Sequence, residues 1–280
     1  MYKTILVHVD ETARSAQRVD VAARLAIQYG AHLVGTAMTG LSPSFFPNPA
    51  LAVPAPGVPP IVFPIDELRA ETDRLLDLFD GQARQAGVAS FERRRIDDEA
   101  GIGISMHARY GDLVVISRAA LDSFSPRLRS DFPEYVVLNC NRPVLVLPAA
   151  GVTQEVGTRV TVAWNGSGNA VRAITSAIPM LQRAKEVSLA VFNADAEGEL
   201  PSRDPGADIG LYLARHGIPV GITAAHASDA GESLLSFAAD RGSDLIVMGA
   251  YGRSRFREIL LGGASCTALL SSPIPLWMAH

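Results

Sequence analysis

Read from its first residue, the chain sets short, continuous apolar runs between longer stretches of helix-forming residues. Ile5-Leu6-Val7-His8-Val9 is the first such run, and it ends at Asp10. Helix formers follow from Ser15 to Tyr29, where Gly30 supplies an ordinary helix stop. Asp112-Leu113-Val114-Val115-Ile116 and Arg142-Pro143-Val144-Leu145-Val146-Leu147 are further runs with no polar alternation. That pattern predicts strands buried on both faces of a parallel sheet.

Midway, the same grammar starts again. Val160-Thr161-Val162-Ala163-Trp164 ends at Asn165-Gly166-Ser167 and leads into a helical stretch from Asn169 to Arg183. Asp244-Leu245-Ile246-Val247-Met248 matches the run at Asp112, and Ser272-Pro273-Ile274-Pro275-Leu276-Trp277 matches the one at Arg142. The chain therefore reads as two copies of one α/β unit, residues 1–150 and 157–280. In the second copy, strands are predicted near 159–164, 186–192, 219–225, 244–248 and 274–278. Helices are predicted near 169–183, 207–216, 231–241 and 263–271. Strands alternating with helices predict a doubly wound, Rossmann-like parallel sheet in each copy, with ligands beyond the carboxyl ends of the strands.

Asp10 and Asn165 stand 155 positions apart, but Asp112 and Asp244 only 132, so the first copy carries about 23 extra residues. They fall in Leu41 to Pro64, where many of the 18 prolines gather. Such a segment neither propagates a helix nor pairs as a central strand. It reads as a loop, either a solvent-facing insertion or a cover over a neighbouring site. A linker from Pro148 to Thr158 separates the copies.

Composition narrows the classes. The 280 residues are 48% hydrophobic and 19% charged, with a net charge of −4 and a pI near 5.9. A sizeable core is expected, and a basic nucleic-acid footprint is not. Arg93-Arg94-Arg95, followed by Asp97-Asp98-Glu99, reads as a solvated face of mixed charge. Cys140 and Cys266 are too few for a disulfide framework and are expected as buried thiols. The start of the chain shows no signal peptide, and no run approaches the ~18 apolar residues of a membrane span, so a cytoplasmic protein is expected. The histidines are scattered without ligand spacing, which predicts no metal site.

Chemistry concentrates after Met248. Gly249 and Gly252 let the backbone turn and approach a ligand, and Gly262-Gly263 opens another helix whose first amides have no internal partners. Free amides and the helix dipole favour an anion there, with Ser265 adding a hydroxyl and Arg253 a positive charge. On residue chemistry alone, glycines serving only as tight turns are an open alternative. The loop is neither a Walker loop nor a dinucleotide fingerprint.

Its spacing, Gly249-x2-Gly252-x9-Gly262, resembles the nucleotide-binding motif of the universal stress protein family, written G-2x-G-9x-G(S/T). The opening strands, their acidic or amide turns and the Pro-led final strands extend the resemblance over the whole chain. It implies a tandem of adenine-nucleotide α-hydrolase-like domains that binds ATP or another adenine nucleotide, with or without magnesium. The adenosine end would meet the Ala163 backbone and the Asn165 side chain. Phe192 would offer a backbone contact, and Met248 would lie beside the nucleoside. Gly249, Gly252, Arg253, Gly262, Gly263, Ala264 and Ser265 would face the phosphates. The family pairs its final strands across a dimer, which here implies a pseudo-dimer within one chain, and a homodimer of chains is a further option. Pro275 lacks an amide, so that ladder is expected to skip a bond or lie at the edge.

Three departures qualify the resemblance. Asn165 replaces the usual aspartate and brings no charge. Gly263 replaces a serine or threonine. In the first copy, Ser117 and Ala120 stand where Gly249 and Gly252 stand, and Ser123-Phe124-Ser125-Pro126 contains no glycine. The first copy is therefore expected to have lost nucleotide binding, leaving Asp10 as a turn or capping residue. With no catalytic constellation in either copy, the leading expectation is a non-enzymatic nucleotide-binding stress protein acting through an unknown protein partner. Slow ATP hydrolysis or phosphotransfer, and a non-nucleotide ligand-binding module, are the alternatives.

Overall fold

The computed structural model describes residues 1–41, 64–118, 131–152, 155–193, 206–251 and 263–280. The Pro-rich segment beyond Leu41, Ala120 with the serine run after it, and Gly252, Arg253 and Gly262 lie outside the described residues.

The first half runs β1 (Thr4–His8), α1 (Ser15–Tyr29), β2 (His32–Met38), α2 (Ile65–Ala86), β3 (Phe91–Ile96), α3 (Ala100–Ala108), β4 (Leu113–Ser117), α4 (Phe132–Asn139) and β5 (Val144–Leu147). The second half repeats it as β6 (Arg159–Ala163), α5 (Gly168–Leu181), β7 (Glu186–Phe192), α6 (Ala207–Arg215), β8 (Gly221–Ala225), α7 (Ala230–Asp240), β9 (Leu245–Gly249), α8 (Ala264–Ser271) and β10 (Leu276–Ala279). All strands join one sheet in the order β3-β2-β1-β4-β5-β10-β9-β6-β7-β8. Every pairing is parallel except β5 with β10, where Trp277 faces Leu145 and the halves meet as a pseudo-dimer. No helix among the described residues is long and apolar enough to cross a membrane.

The unbroken apolar runs follow from this burial. Alternate residues of each strand enter opposite layers, Leu6, Val146, Ile246 and Met278 on one face, Val7, Leu145, Val162 and Trp277 on the other. Each layer draws on both halves, so the core is continuous across the junction. Tyr2 seals the seam: its ring lies 5.5 Å from Trp277 and its hydroxyl donates to the Ser176 carbonyl at 2.8 Å. The Trp277 indole N–H donates to Ser176 Oγ at 3.0 Å.

Local signals did much of the shaping. Gly30 sits at φ 60° and closes α1 with its N–H on the Ala26 and Ile27 carbonyls. The two aspartates that open the matching strands are clamps. Asp112 accepts from the Lys3 and Thr4 amides, and Asp244 from those of Gly157, Thr158 and Arg159. Each carboxylate thereby pins the entry of the neighbouring strand.

Several expectations need correction. β10 begins at Leu276 rather than 274, because Pro275 precedes the strand and contributes only its carbonyl, which accepts from Ile246 at 3.0 Å. The arginine run does lie on a solvated face of mixed charge, where Arg93 and Arg95 pair with Asp77 and Asp73 of α2 and Asp97 pairs with Arg69. Strand alternation turns the two arginines toward the helix and away from the acids next to them in sequence. Cys140 is buried and its thiol is pushed up to about 11 by burial, but Cys266 is half-exposed on the first turn of α8.

Candidate functional site

Strand order reverses between β6 and β9, and beyond the carboxyl ends of the strands at such a switch point a doubly wound sheet offers a crevice. The crevice is a cavity of about 120 Å3. Ala163 and Asn165 border it after β6, Phe192 at the end of β7, Met248 and Gly249 at the end of β9, and Ala264 and Ser265 on the first turn of α8. Seven of the residues singled out in the sequence thus converge on one space. Gly263 is the N-cap of α8 and does not border the cavity. Phe192 is the last residue of β7, and its ring meets Phe237 edge-on at 6.4 Å.

The walls follow from local chemistry. Ser167 caps α5 by accepting from the Ala170 amide at 3.2 Å. Asn165 Oδ1 accepts from the Ser167 amide at 3.1 Å, an Asx turn that engages the oxygen and not the carboxamide nitrogen. The charge lost relative to an aspartate therefore does not cost the turn. On α8, the first-turn amides of Ala264 and Ser265 are those a helix leaves without internal partners, and they edge the cavity.

Gly249 has a different role from the one its motif suggests. A Cβ there would stand 2.5 Å from the Ala170 nitrogen and 2.7 Å from the Asn169 carbonyl carbon. Glycine is required because the first turn of α5 presses against the strand end, whatever the ligand does.

Past Gly249 the chain is held from several sides. Asn169, buried on α5, donates Nδ2 to the Ala250 and Tyr251 carbonyls at 2.5 and 3.1 Å, and His280 Nδ1 lies 3.0 Å from Ala250 O. The Tyr251 amide donates to Ser265 Oγ at 3.0 Å. Trp164, Ser167, Ala190, Ala230 and Leu234 complete the lining. None of these was anticipated. Ser167 and Asn169 could have been read from the capping signal after Asn165-Gly166, whereas the apolar four look like ordinary core.

The equivalent corner of the first half carries bulkier residues. His8 takes the place of Ala163, Met38 that of Phe192, Ser117 that of Gly249 and Phe132 that of Ala264. The His8 and Phe132 rings lie 4.9 Å apart. Asp10 keeps the Asx turn, with Oδ1 accepting from the Thr12 amide at 3.1 Å, and it also pairs with Arg18 at 2.8 Å although both are buried. Burial alone would raise the Asp10 carboxyl, but Arg18, His8 and Thr12 outweigh it and hold it at about 2. Burial pushes the His8 imidazole down to about 4, against the pull of Asp10. Asp10 is therefore half of an internal ion pair as well as a turn residue.

A larger crevice of about 630 Å3 opens between α1 and the residues entering β6, lined by Arg24, Arg183 and Lys185 among others. It touches none of the candidate residues and lies away from the crossover of strand order, so the smaller cavity better fits a ligand site. Among the described residues, no cluster of three or more His, Cys, Asp or Glu could hold a metal ion.

The model of the universal stress protein family matches residues 1–148 and 158–280. The chain belongs to this family. It holds two family units in tandem, and some structural neighbours match over that whole length. A universal stress protein from Archaeoglobus fulgidus superposes with a TM-score of 0.74 at 16% identity, over 99% of this chain and 96% of that one. A functionally unknown protein from Pseudomonas aeruginosa PAO1 superposes with a TM-score of 0.59, also at 16% identity, over 99% and 92%. These likenesses establish the tandem fold. No curated protein matches the chain.

Proposed function

We propose that this universal stress protein binds one ATP or related adenine nucleotide per chain, in its second domain, residues 157–280. The first domain, residues 1–150, does not bind it. The observation that carries the reading is the cavity between the β6 and β9 ends, edged by Asn165 and by the free first-turn amides of α8. At about 120 Å3 it is well below the roughly 300–1,000 Å3 of a pocket that encloses a whole ligand, so it suits a heterocyclic ring. The phosphates would run outward along the α8 N-terminus, where amides and dipole favour negative charge. Gly252, Arg253, Gly262 and Gly263 would complete that wall, with or without magnesium.

The reading is binding and not fast turnover. The lining residues offer amides, hydroxyls and one carboxamide, none of which serves as a general base at neutral pH. A cytoplasmic stress-response role, exerted through a protein partner that senses the bound state, fits such a site.

Calorimetric titration of ATP, ADP and AMP into the wild type and Ala163→Phe tests this. Ala163 is half-buried and borders the cavity, so a bulkier side chain there takes up the space that the ring of a ligand needs. Saturable binding at one site per chain, weakened at least tenfold in the variant, is expected. No binding by the wild type, or equal binding by both, overturns the assignment.

A further inference from the structure

The first turns of α4 and α8 occupy equivalent places in the two halves, yet their sequences point to opposite uses. In α8 the turn is Gly263-Ala264-Ser265, with small side chains and open amides. In α4 it is Phe132-Pro133-Glu134. Proline removes an amide, Phe132 fills the space beside His8, and Glu134 places a negative charge where an anion would sit. The Glu134 carboxylate instead reaches out of its own half and accepts from the Tyr251 hydroxyl at 2.6 Å.

Tyr251 is an unusual residue to find there. It is buried and sits at φ 52°, a left-handed backbone that a non-glycine residue keeps only where its surroundings enforce it. Its amide is held by Ser265 of α8, its carbonyl by Asn169 of α5 and its hydroxyl by Glu134 of the other half. A second arm of the first half holds the far end of α8, where Arg118 Nη1 donates to the Leu269 carbonyl at 2.8 Å. The first half thus holds one end of this helix directly, through Arg118, and reaches the other through Tyr251 and Ser265.

We propose that the first half is a positioning brace for the site in the second. Glu134, through Tyr251, sets the base of the glycine loop and the α8 N-terminus in the geometry that receives phosphates. Glu134 and Tyr251 are positioning residues that act through Ser265. The inference rests on the nucleotide reading of the cavity and adds to it a cause for keeping a half that does not bind the nucleotide. Linkage makes the effect reciprocal: phosphate binding in the second half tightens the contact between halves.

The test compares ATP and adenosine binding to the full-length wild type, Tyr251→Phe, Glu134→Ala, Glu134→Gln and the double variant Tyr251→Phe/Glu134→Ala, with thermal midpoints recorded for each. Tyr251→Phe keeps the ring, so it carries the test even if Glu134→Ala folds poorly. ATP affinity is expected to fall roughly tenfold in Tyr251→Phe and in Glu134→Ala, the scale of one hydrogen bond to a charged group. The double variant loses no more than either single one, because both remove the same contact. Glu134→Gln, whose carbonyl still accepts from the tyrosine, recovers most of the affinity. Adenosine binding stays unchanged throughout, which general loosening of the fold would not produce. ATP binding that ignores these substitutions, or adenosine losses equal to those of ATP, overturns the brace alone. A wild type that binds neither ligand overturns the nucleotide reading and the brace with it.

Discussion

His8 should make this protein sensitive to mild acid by an amount that can be worked out. The ring is fully buried, packed on Phe132, and its Nδ1 stands 3.4 Å from Asp10 Oδ2 without forming a hydrogen bond. Burial lowers its pKa from 6.5 to about 4. The unfolded chain therefore binds a proton that the folded chain refuses, and stability falls as pH drops from 6.5 toward 4. Above 6.5 the effect vanishes, and below 4 it is complete. At 1.36 kcal/mol per pH unit the full loss is about 3 kcal/mol, and linkage gives about 2 kcal/mol between pH 7 and pH 5. Urea unfolding of wild type and His8→Leu at both pH values isolates the term, since carboxylates remote from residue 8 titrate alike in each protein and Asp10 keeps its Arg18 partner in both. The wild type should lose about 2 kcal/mol more than the variant over that interval. Parallel losses in the two proteins, or an imidazole that titrates near 6.5 by NMR, would refute the reasoning.

Other perturbations probe other links. Arg18→Met leaves the Asp10 carboxylate buried without its partner and should cost about 3–5 kcal/mol by urea unfolding, while Asp10→Asn/Arg18→Met should cost less than the sum of its parts. Trp277→Ala opens a void at the seam between halves and should cost about 3–5 kcal/mol, read from the thermal midpoint. Asp244→Ala strips the acceptor from the amides of Gly157, Thr158 and Arg159 and should destabilise by about 1–3 kcal/mol. Asp112→Ala, which releases the Lys3 and Thr4 amides alone, should cost less than Asp244→Ala, and the reverse order would discredit the clamp.

Much of the fold was legible because its determinants are local or periodic. Unbroken apolar runs marked β4 and β9, and Gly30 marked the end of α1 at the right residue. The pairing of the final strands came from the family resemblance and not from the repeat alone, since each five-strand unit has a second edge, at β3 or β8. The details that stayed unread depend on partners distant in sequence. Arg93 and Arg95 sit beside acids in the chain, yet strand alternation and α2 decide which acids they meet. Arg18 looks like any polar position on an alanine-rich helix, and only the return of α1 onto β1 makes it a buried counter-charge for Asp10.

The site divides along the same line, and the division bears on what its glycines mean. Spacing led to Gly249, Ala264 and Ser265 because a motif is a local pattern, and all three do border the cavity. Yet the contact that forbids a side chain at 249 is with Asn169 and Ala170, some eighty residues earlier, and not with a ligand. The same α5 turn supplies Asn169, which fixes the Ala250 and Tyr251 carbonyls. Packing of α5 against β9 therefore comes first, and a phosphate wall can be built only because that packing already requires a bare backbone. The first half makes the converse point. With Ser117 in place of Gly249 the strand end carries a side chain, and His8, Phe132 and an Asp10–Arg18 pair gather at that corner. A motif glycine lost at the end of β4 is thus first a change in how a helix can meet a strand, before it is a change in what can bind.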